Sequence, residues 1–201
     1  MLTPLAIFDA RPSVRGIRRW WRARRTVNEI VPGLFIGGCP RRGSPVAAAL
    51  VLNRVDYVVV TTLSCPPLPL GITARHVPFL DAGLPTRMAP LVDASAQAAE
   101  RIRNGGRVSI NCGHGLDRSA LIAALILRDL DPRLDGPSIL EILREKRGGE
   151  TLHNRRFARF VAELPPTRVG ALRDVSTVEL SPPPVGRRAL APGRSASTTS
   201  A

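Results

Sequence analysis

The chain has 201 residues, 44% of them hydrophobic and 4% aromatic, with a formal charge of +13 carried almost wholly by arginine, Lys146 being its one lysine. That length and apolar content suit one domain with one core, and no apolar run approaches the roughly 20 residues that span a bilayer. Surplus arginine favours anionic partners without naming one, while so few aromatic residues argue against a stacking platform for nucleic acid.

In chain order, residues 11–25 form a basic arm in which Val14, Ile17 and Trp21 recur at helical spacing beside Trp20. This pattern predicts a short amphipathic helix that either packs on the domain or lies on an anionic lipid surface. A Pro-Gly turn then leads into Leu34, Phe35 and Ile36, followed by an Ala- and Leu-rich helix over about 44–53. The β-branched run from Tyr57 to Leu63 reads as a buried strand, and Ile72 to Phe79 as a second one beyond a Pro-rich loop. A helix from about Pro90 to Arg103 stops at Gly105-Gly106, and Arg107 to Asn111 forms a short strand. Three helical stretches follow, about Ser119 to Leu130, Gly136 to Arg147 and Leu152 to Leu164. Strands alternating with helices imply an α/β layer structure. From Pro166 onward the composition turns to Pro, Arg, Ser and Thr, and hydrophobic periodicity fades, which predicts a disordered tail. The expected organisation is an arm over 1–28, one domain over 29–165 and a tail over 166–201.

The chemistry concentrates where the strand ending at Asn111 delivers Cys112-Gly113-His114-Gly115-Leu116-Asp117-Arg118-Ser119 to an apolar helix. Two glycines let the backbone curl so that successive N–H groups line an anion-binding nest, and the helix adds its unsatisfied amides and positive dipole end. Cys112 is then a nucleophile held beneath a bound phosphate, because sulfur attacks as the thiolate and the same amides favour negative charge. Arg118 offers a planar fork to two phosphate oxygens, a geometry that lysine lacks. Ser119 can cap the helix or hydrogen-bond the sulfur as it leaves. Asp117 is a carboxylate inside an anion nest, and we read it as turned outward into solvent.

This segment resembles the signature of the dual-specificity branch of the protein tyrosine phosphatase superfamily, His-Cys-x-x-Gly-x-x-Arg-Ser, at Cys112, Gly115, Arg118 and Ser119. The resemblance extends from about Val31 to Leu164. Ile30 to Gly38 is similar to the family's opening strand, Val77-Pro78-Phe79-Leu80-Asp81 to the segment with its general acid, and Arg144 to Arg147 and Asn154 to Phe157 to its closing helices. One departure stands at Asn111, where the family has histidine; asparagine can still hydrogen-bond the backbone.

What the resemblance implies is a single-domain α/β fold with a central mixed sheet of about four to five strands flanked by helices. It also implies hydrolysis of phosphate monoesters on phosphotyrosine, phosphoserine or phosphothreonine protein. Cys112 would form a phosphocysteine, Arg118 would bind phosphate together with Gly113 to Asp117, and Asp81 would protonate the leaving oxygen and then activate water, with no metal and no cofactor. Phosphoinositide or other phospholipid hydrolysis, favoured by the Trp-containing arm, and an inactive phosphate-binding module are the alternatives. The thiols Cys39, Cys65 and Cys112 form no C-x-x-C pair, and the three histidines are widely spaced, which argues against a zinc site. Sparse cysteine without a secretory signal fits a reducing cytoplasm, with peripheral membrane contact if the arm binds lipid.

Overall fold

The computed structural model describes residues 21–166. Most of the basic arm, including Val14, Ile17 and Trp20, and the tail from residue 167 lie outside the described residues. Residues 21–24 are helical and lead directly into the sheet.

The sheet has five strands in the order β1-β2-β5-β3-β4. These are β1 (Val27–Val31), β2 (Leu34–Gly37), β3 (Tyr57–Val60), β4 (Thr73–His76) and β5 (Val108–Asn111). Only β1 runs antiparallel to its neighbour; β2, β5, β3 and β4 are parallel. The single opening strand expected over residues 30–38 is instead two strands reversed at Pro32-Gly33. Gly33 adopts φ +84°, which glycine reaches without steric cost, and its carbonyl accepts from Val108 N (2.8 Å), tying the turn to β5.

Alternation along the strands divides the interior in two. Leu34, Ile36, Tyr57, Val59, Val108 and Ile110 face the larger core, built with helices α2 (Ala89–Arg103), α3 (Arg118–Leu130), α4 (Gly136–Arg147) and α5 (Arg155–Ala162). Phe35, Val58 and Val60 face a smaller core closed by Leu50 of α1 (Pro45–Leu52). Three helices start on a recognisable signal: Ser44 accepts from Ala47 N (3.1 Å), Asp135 accepts from Ser138 N (2.9 Å), and Pro90 stands in the first turn of α2.

Elements end earlier than the apolar runs suggest, and the polar contacts give the reason. Thr61 closes β3 by donating its amide to Asn111 O (2.9 Å), after which Leu63 is exposed. Beyond His76, β4 keeps only spaced bonds to the neighbouring segment, from Val77 N to Val60 O (2.9 Å) and from Phe79 N to Thr61 O (3.4 Å). Helix α5 begins at Arg155 and not at Leu152, because Leu152 has φ +58° and gives its N–H to Leu116 O (3.0 Å). Helix α3 is buried on most of its circumference, so the loop before it is anchored to the least mobile part of the fold.

Candidate active site

Strand β5 lies between β2 and β3 and is parallel to both, so its carboxyl end opens at the rim where ligands of parallel sheets bind. Cys112 follows directly. Its amide donates to Gly37 O (3.3 Å), and its side chain is almost wholly buried at 1% exposure. Two groups converge on its sulfur: the Gly115 N–H donates to it at 3.0 Å, and the Ser119 hydroxyl lies in hydrogen-bond contact with it, Oγ at 3.4 Å, a pair in which either atom can donate. An amide hydrogen aimed at sulfur is the contact that a thiolate accepts. Of the two roles open to Ser119, the structure shows the sulfur contact, and it places the residue inside α3 rather than at its cap.

Asn111 secures the base of the loop. Its Nδ2 donates to Gly38 O (2.7 Å), its Oδ1 accepts from Ser109 Oγ (2.8 Å), and its carbonyl accepts from Thr61 N (2.9 Å) and Thr61 Oγ1 (3.2 Å). Buried and satisfied by backbone and side-chain partners, asparagine braces the strand end from the place where the resembling family has histidine.

Gly115 is fixed by two requirements. Its φ is +71°, and a methyl group added there would lie 2.5 Å from Arg147 Nη2 and 2.6 Å from the Gly37 carbonyl. The left-handed conformation alone costs alanine about 1–2 kcal/mol. Gly115→Ala is therefore expected to lower the melting temperature by several degrees, at roughly 2–4 °C per kcal/mol for a domain of this size, and to cut turnover of an aryl phosphate at least about tenfold. Thermal melts and steady-state kinetics check both; unchanged kinetics would mean that the loop tolerates displacement.

Arg147 is one residue of the candidate site that the sequence reading missed. It is 8% exposed, and its guanidinium donates to Gly115 O (2.9 Å) and His114 O (3.4 Å) on the loop. The same group donates to Ala23 O (2.6 Å), Thr26 O (3.3 Å) and Thr26 Oγ1 (3.0 Å) on the segment entering β1, and to Asn28 Oδ1 within that strand. Burial lowers its pKa to about 10, opposed by the charge of Cys112. A signal was present: Ile139, Leu143 and Arg147 fall four residues apart on the buried stripe of α4, where an arginine has to find partners.

Arg118 sits at the first turn of α3, with its guanidinium turned across the loop. Nη1 donates to Thr61 O (3.2 Å) and Phe79 O (3.1 Å), fixing the plane of the fork. Nε is buried, has no hydrogen-bond partner among the described residues, and lies 3.7 Å from Asp81 Oδ2. The other oxygen of Asp81 accepts from Asn154 Nδ2 (3.2 Å), so the carboxylate from the loop after β4 is held beside Arg118. Gly113 is close enough that a methyl group there would lie 3.2 Å from Arg118 Nη2. Leu116 is buried and anchors the loop to Leu152. His114 is half-buried; burial, then the charges of Arg24 and Arg118, lower its pKa, with Asp81 opposing.

Asp117 does not point out into solvent as expected. Its Oδ1 accepts the amide of Asn154 (2.7 Å) at the start of α5, in a half-buried position. Asn154, also missed as a site residue, thereby links both carboxylates while capping α5 with its own side-chain oxygen. Burial raises the pKa of Asp117; the Asn154 amide opposes that shift, and the charge of Asp81 adds to it. A carboxyl whose folded pKa is raised loses stabilising protonation as pH rises from its unfolded value through the folded one. Asp117→Asn keeps an acceptor for the Asn154 amide and carries no charge. It is expected to melt above the parent at neutral pH, with the gap closing as pH falls below the ordinary value of 3.8. A pH series of thermal melts reads this directly, and a gap that widens on acidification would contradict it.

No family profile and no curated protein matches the sequence. Known structures do match the fold, which is that of the dual-specificity phosphatases. DUSP15 aligns with TM-score 0.61 at 19% identity, over 69% of this chain and 86% of that one. Human DUSP28 aligns with TM-score 0.58 at 21% identity, over 68% and 93%. The human tyrosine phosphatase-like serine/threonine/tyrosine-interacting protein aligns with TM-score 0.55 at 14% identity, over 69% and 97%. Among the described residues, no three His, Cys, Asp or Glu side chains are grouped to hold a metal ion, and no helix is long and apolar enough to cross a membrane.

Proposed function

We propose that this chain is a cysteine-dependent phosphatase that hydrolyses phosphate monoesters on phosphorylated protein. The observation that carries the reading is the convergence of the Gly115 amide and the Ser119 hydroxyl on the Cys112 sulfur. A module that only held phosphate would need the nest and Arg118 but no buried, hydrogen-bonded sulfur at the floor, which weighs against an inactive member of the same fold.

In this reaction the Cys112 sulfur attacks phosphorus from below, the bond to the ester oxygen breaks, and Asp81 gives that oxygen its proton. Arg118 holds the equatorial oxygens, and its buried Nε, which has no hydrogen-bond partner among the described residues, supports a donor role toward one of them. Water then attacks the phosphocysteine and yields its proton to Asp81. As the S–P bond breaks, the Ser119 hydroxyl stabilises the departing sulfur. Arg147 acts without touching substrate, by fixing the carbonyls of His114 and Gly115 so that the loop amides keep their aim.

A phospholipid substrate is the second reading, favoured by Trp21, which is 52% exposed, stands 5.5 Å from the Arg24 guanidinium and is followed by Arg22 and Arg25. Both readings use the same chemistry. Turnover of phosphopeptides and phosphoinositides in one panel separates them, and acid quenching during turnover should trap a phosphoryl group on the Cys112 peptide. Failure to turn over any phosphate monoester would end both.

A further inference from the structure

Strand β4 is an edge: among the described residues β3 is its one neighbour. The inward groups are fixed by Thr73 N, which donates to Asp56 O (2.9 Å), and Val77 N, which donates to Val60 O (2.9 Å). Period-two geometry therefore turns the amides and carbonyls of Ala74 and His76 outward, where they form a short unpaired ladder. At the next outward position Pro78 has no N–H, so pairing stops there. Beside this edge runs a groove of about 610 Å³ walled by His76, Pro78, Leu80 and Leu84 and flanked by Arg75 and Arg87. No Asp or Glu lines it. Asp81 lies between two of its lining residues but is turned toward Arg118 and Asn154.

The groove leads to the site. His76 is in register with Val60, and Val60 with Asn111, so the end of β4 stands level with the residue before Cys112. A strand laid on the outer edge of β4 would lie three strand spacings from β5, roughly 14 Å, which about four extended residues span. The apolar part of the groove continues that line through Leu80, which is 62% exposed, next to Asp81.

We propose that this edge and groove bind an extended acidic segment of the phosphoprotein substrate, pairing with Ala74 and His76 and placing carboxylates beside Arg75 and Arg87. The proposal rests on the phosphatase reading and names its substrate class: a phosphoresidue close in sequence to an acidic, strand-forming stretch. Charge selects this occupant. The chain's own segment 167–201 carries five arginines against Asp174 and Glu179, a surplus of three positive charges, so it is a poor partner for a basic rim. A second copy would bring Arg75 against Arg75 across the new pair, which like charges disfavour.

The test is binding by the full chain of a short unphosphorylated peptide of alternating Glu and Val or Thr, read by fluorescence anisotropy. A twin N-methylated at alternate residues has the same charge and no ladder donors. The parent peptide is expected to bind at least about tenfold more tightly than the twin, and Arg75→Glu with Arg87→Glu should weaken it about tenfold or more. Arg41→Glu with Arg42→Glu, away from the groove, should weaken it much less. Ala74→Pro, which removes one outward donor and no inward bond, should lose the preference for the parent over the twin. Equal binding of both peptides, or equal losses in the two charge-reversed variants, overturns the proposal and leaves only attraction to a basic protein. Kinetics separate the two readings. If an aryl phosphate is turned over while the peptide result fails, the docking proposal falls and the phosphatase stands. If the peptide binds as expected with no turnover, the docking surface stands and the phosphatase reading falls.

Discussion

Cys112→Ser is expected to abolish turnover of a small aryl phosphate, with a loss on the order of 10⁴ or more, the scale on which covalent enzymes lose activity when the nucleophile is removed. The reasoning is local. A serine hydroxyl in the same place meets the same Gly115 amide and Ser119 hydroxyl but stays protonated at neutral pH, so there is no general base to free an attacking anion. The fold should survive. Cys112 holds Gly37 through its backbone amide, which the substitution leaves intact, and oxygen is smaller than sulfur in a site that is already closed. Steady-state kinetics with a thermal melt on the same sample decide the matter. Vanadate-sensitive turnover retained by the variant would remove Cys112 from its role, while a collapse of the melting temperature would make it a packing residue.

The parts of this site legible in the sequence are those contiguous along the chain. Strand, Cys112, two glycines, Arg118 and the apolar helix follow one another in the order that the geometry uses, so local pattern suffices. The residues that escaped are joined through space. Arg147 meets Gly115 over a sequence separation of 32 and Ala23 over 124, and Asn154 meets Asp81 over 73. No local propensity encodes such pairs. Burial direction is the partial exception, since the stripe of α4 pointed Arg147 inward. The setting of Asp117 is hidden from the sequence for a related reason: solvation is the default for a carboxylate, and only the packing of α5 against the loop brings an amide to it. The apolar runs at Leu63 and Phe79 outlast the strands, which end at Val60 and His76, and pass into loops that carry Leu80 and Asp81 to the rim.

Two carboxylates stand close enough to the phosphate loop to serve as general acid, and the leaving group is the variable that separates them. Asp81 lies beside Arg118, with one oxygen 3.7 Å from Nε and the other bound by Asn154. Asp117 has the attribute expected of a proton donor, a pKa raised by burial, yet its Oδ1 is committed to the Asn154 amide at the start of α5. Geometry outranks proton affinity here, because an acid has to reach the departing oxygen before its pKa matters. An ordinary phenolate or alkoxide needs that proton; a strongly activated phenolate departs without it. Asp81→Asn is therefore expected to reduce turnover of a phosphotyrosine peptide by about 10²–10⁴, with a much smaller loss on an activated aryl phosphate. Asp117→Asn should change both substrates by the same modest factor, and it should bind inorganic phosphate somewhat more tightly because a negative charge near the loop is gone. A series of aryl phosphates of graded leaving-group acidity measures the slope in each variant. A steep slope in Asp117→Asn and a flat one in Asp81→Asn would reverse the assignment, making Asp117 the proton donor and Asp81 a partner that only orients Arg118.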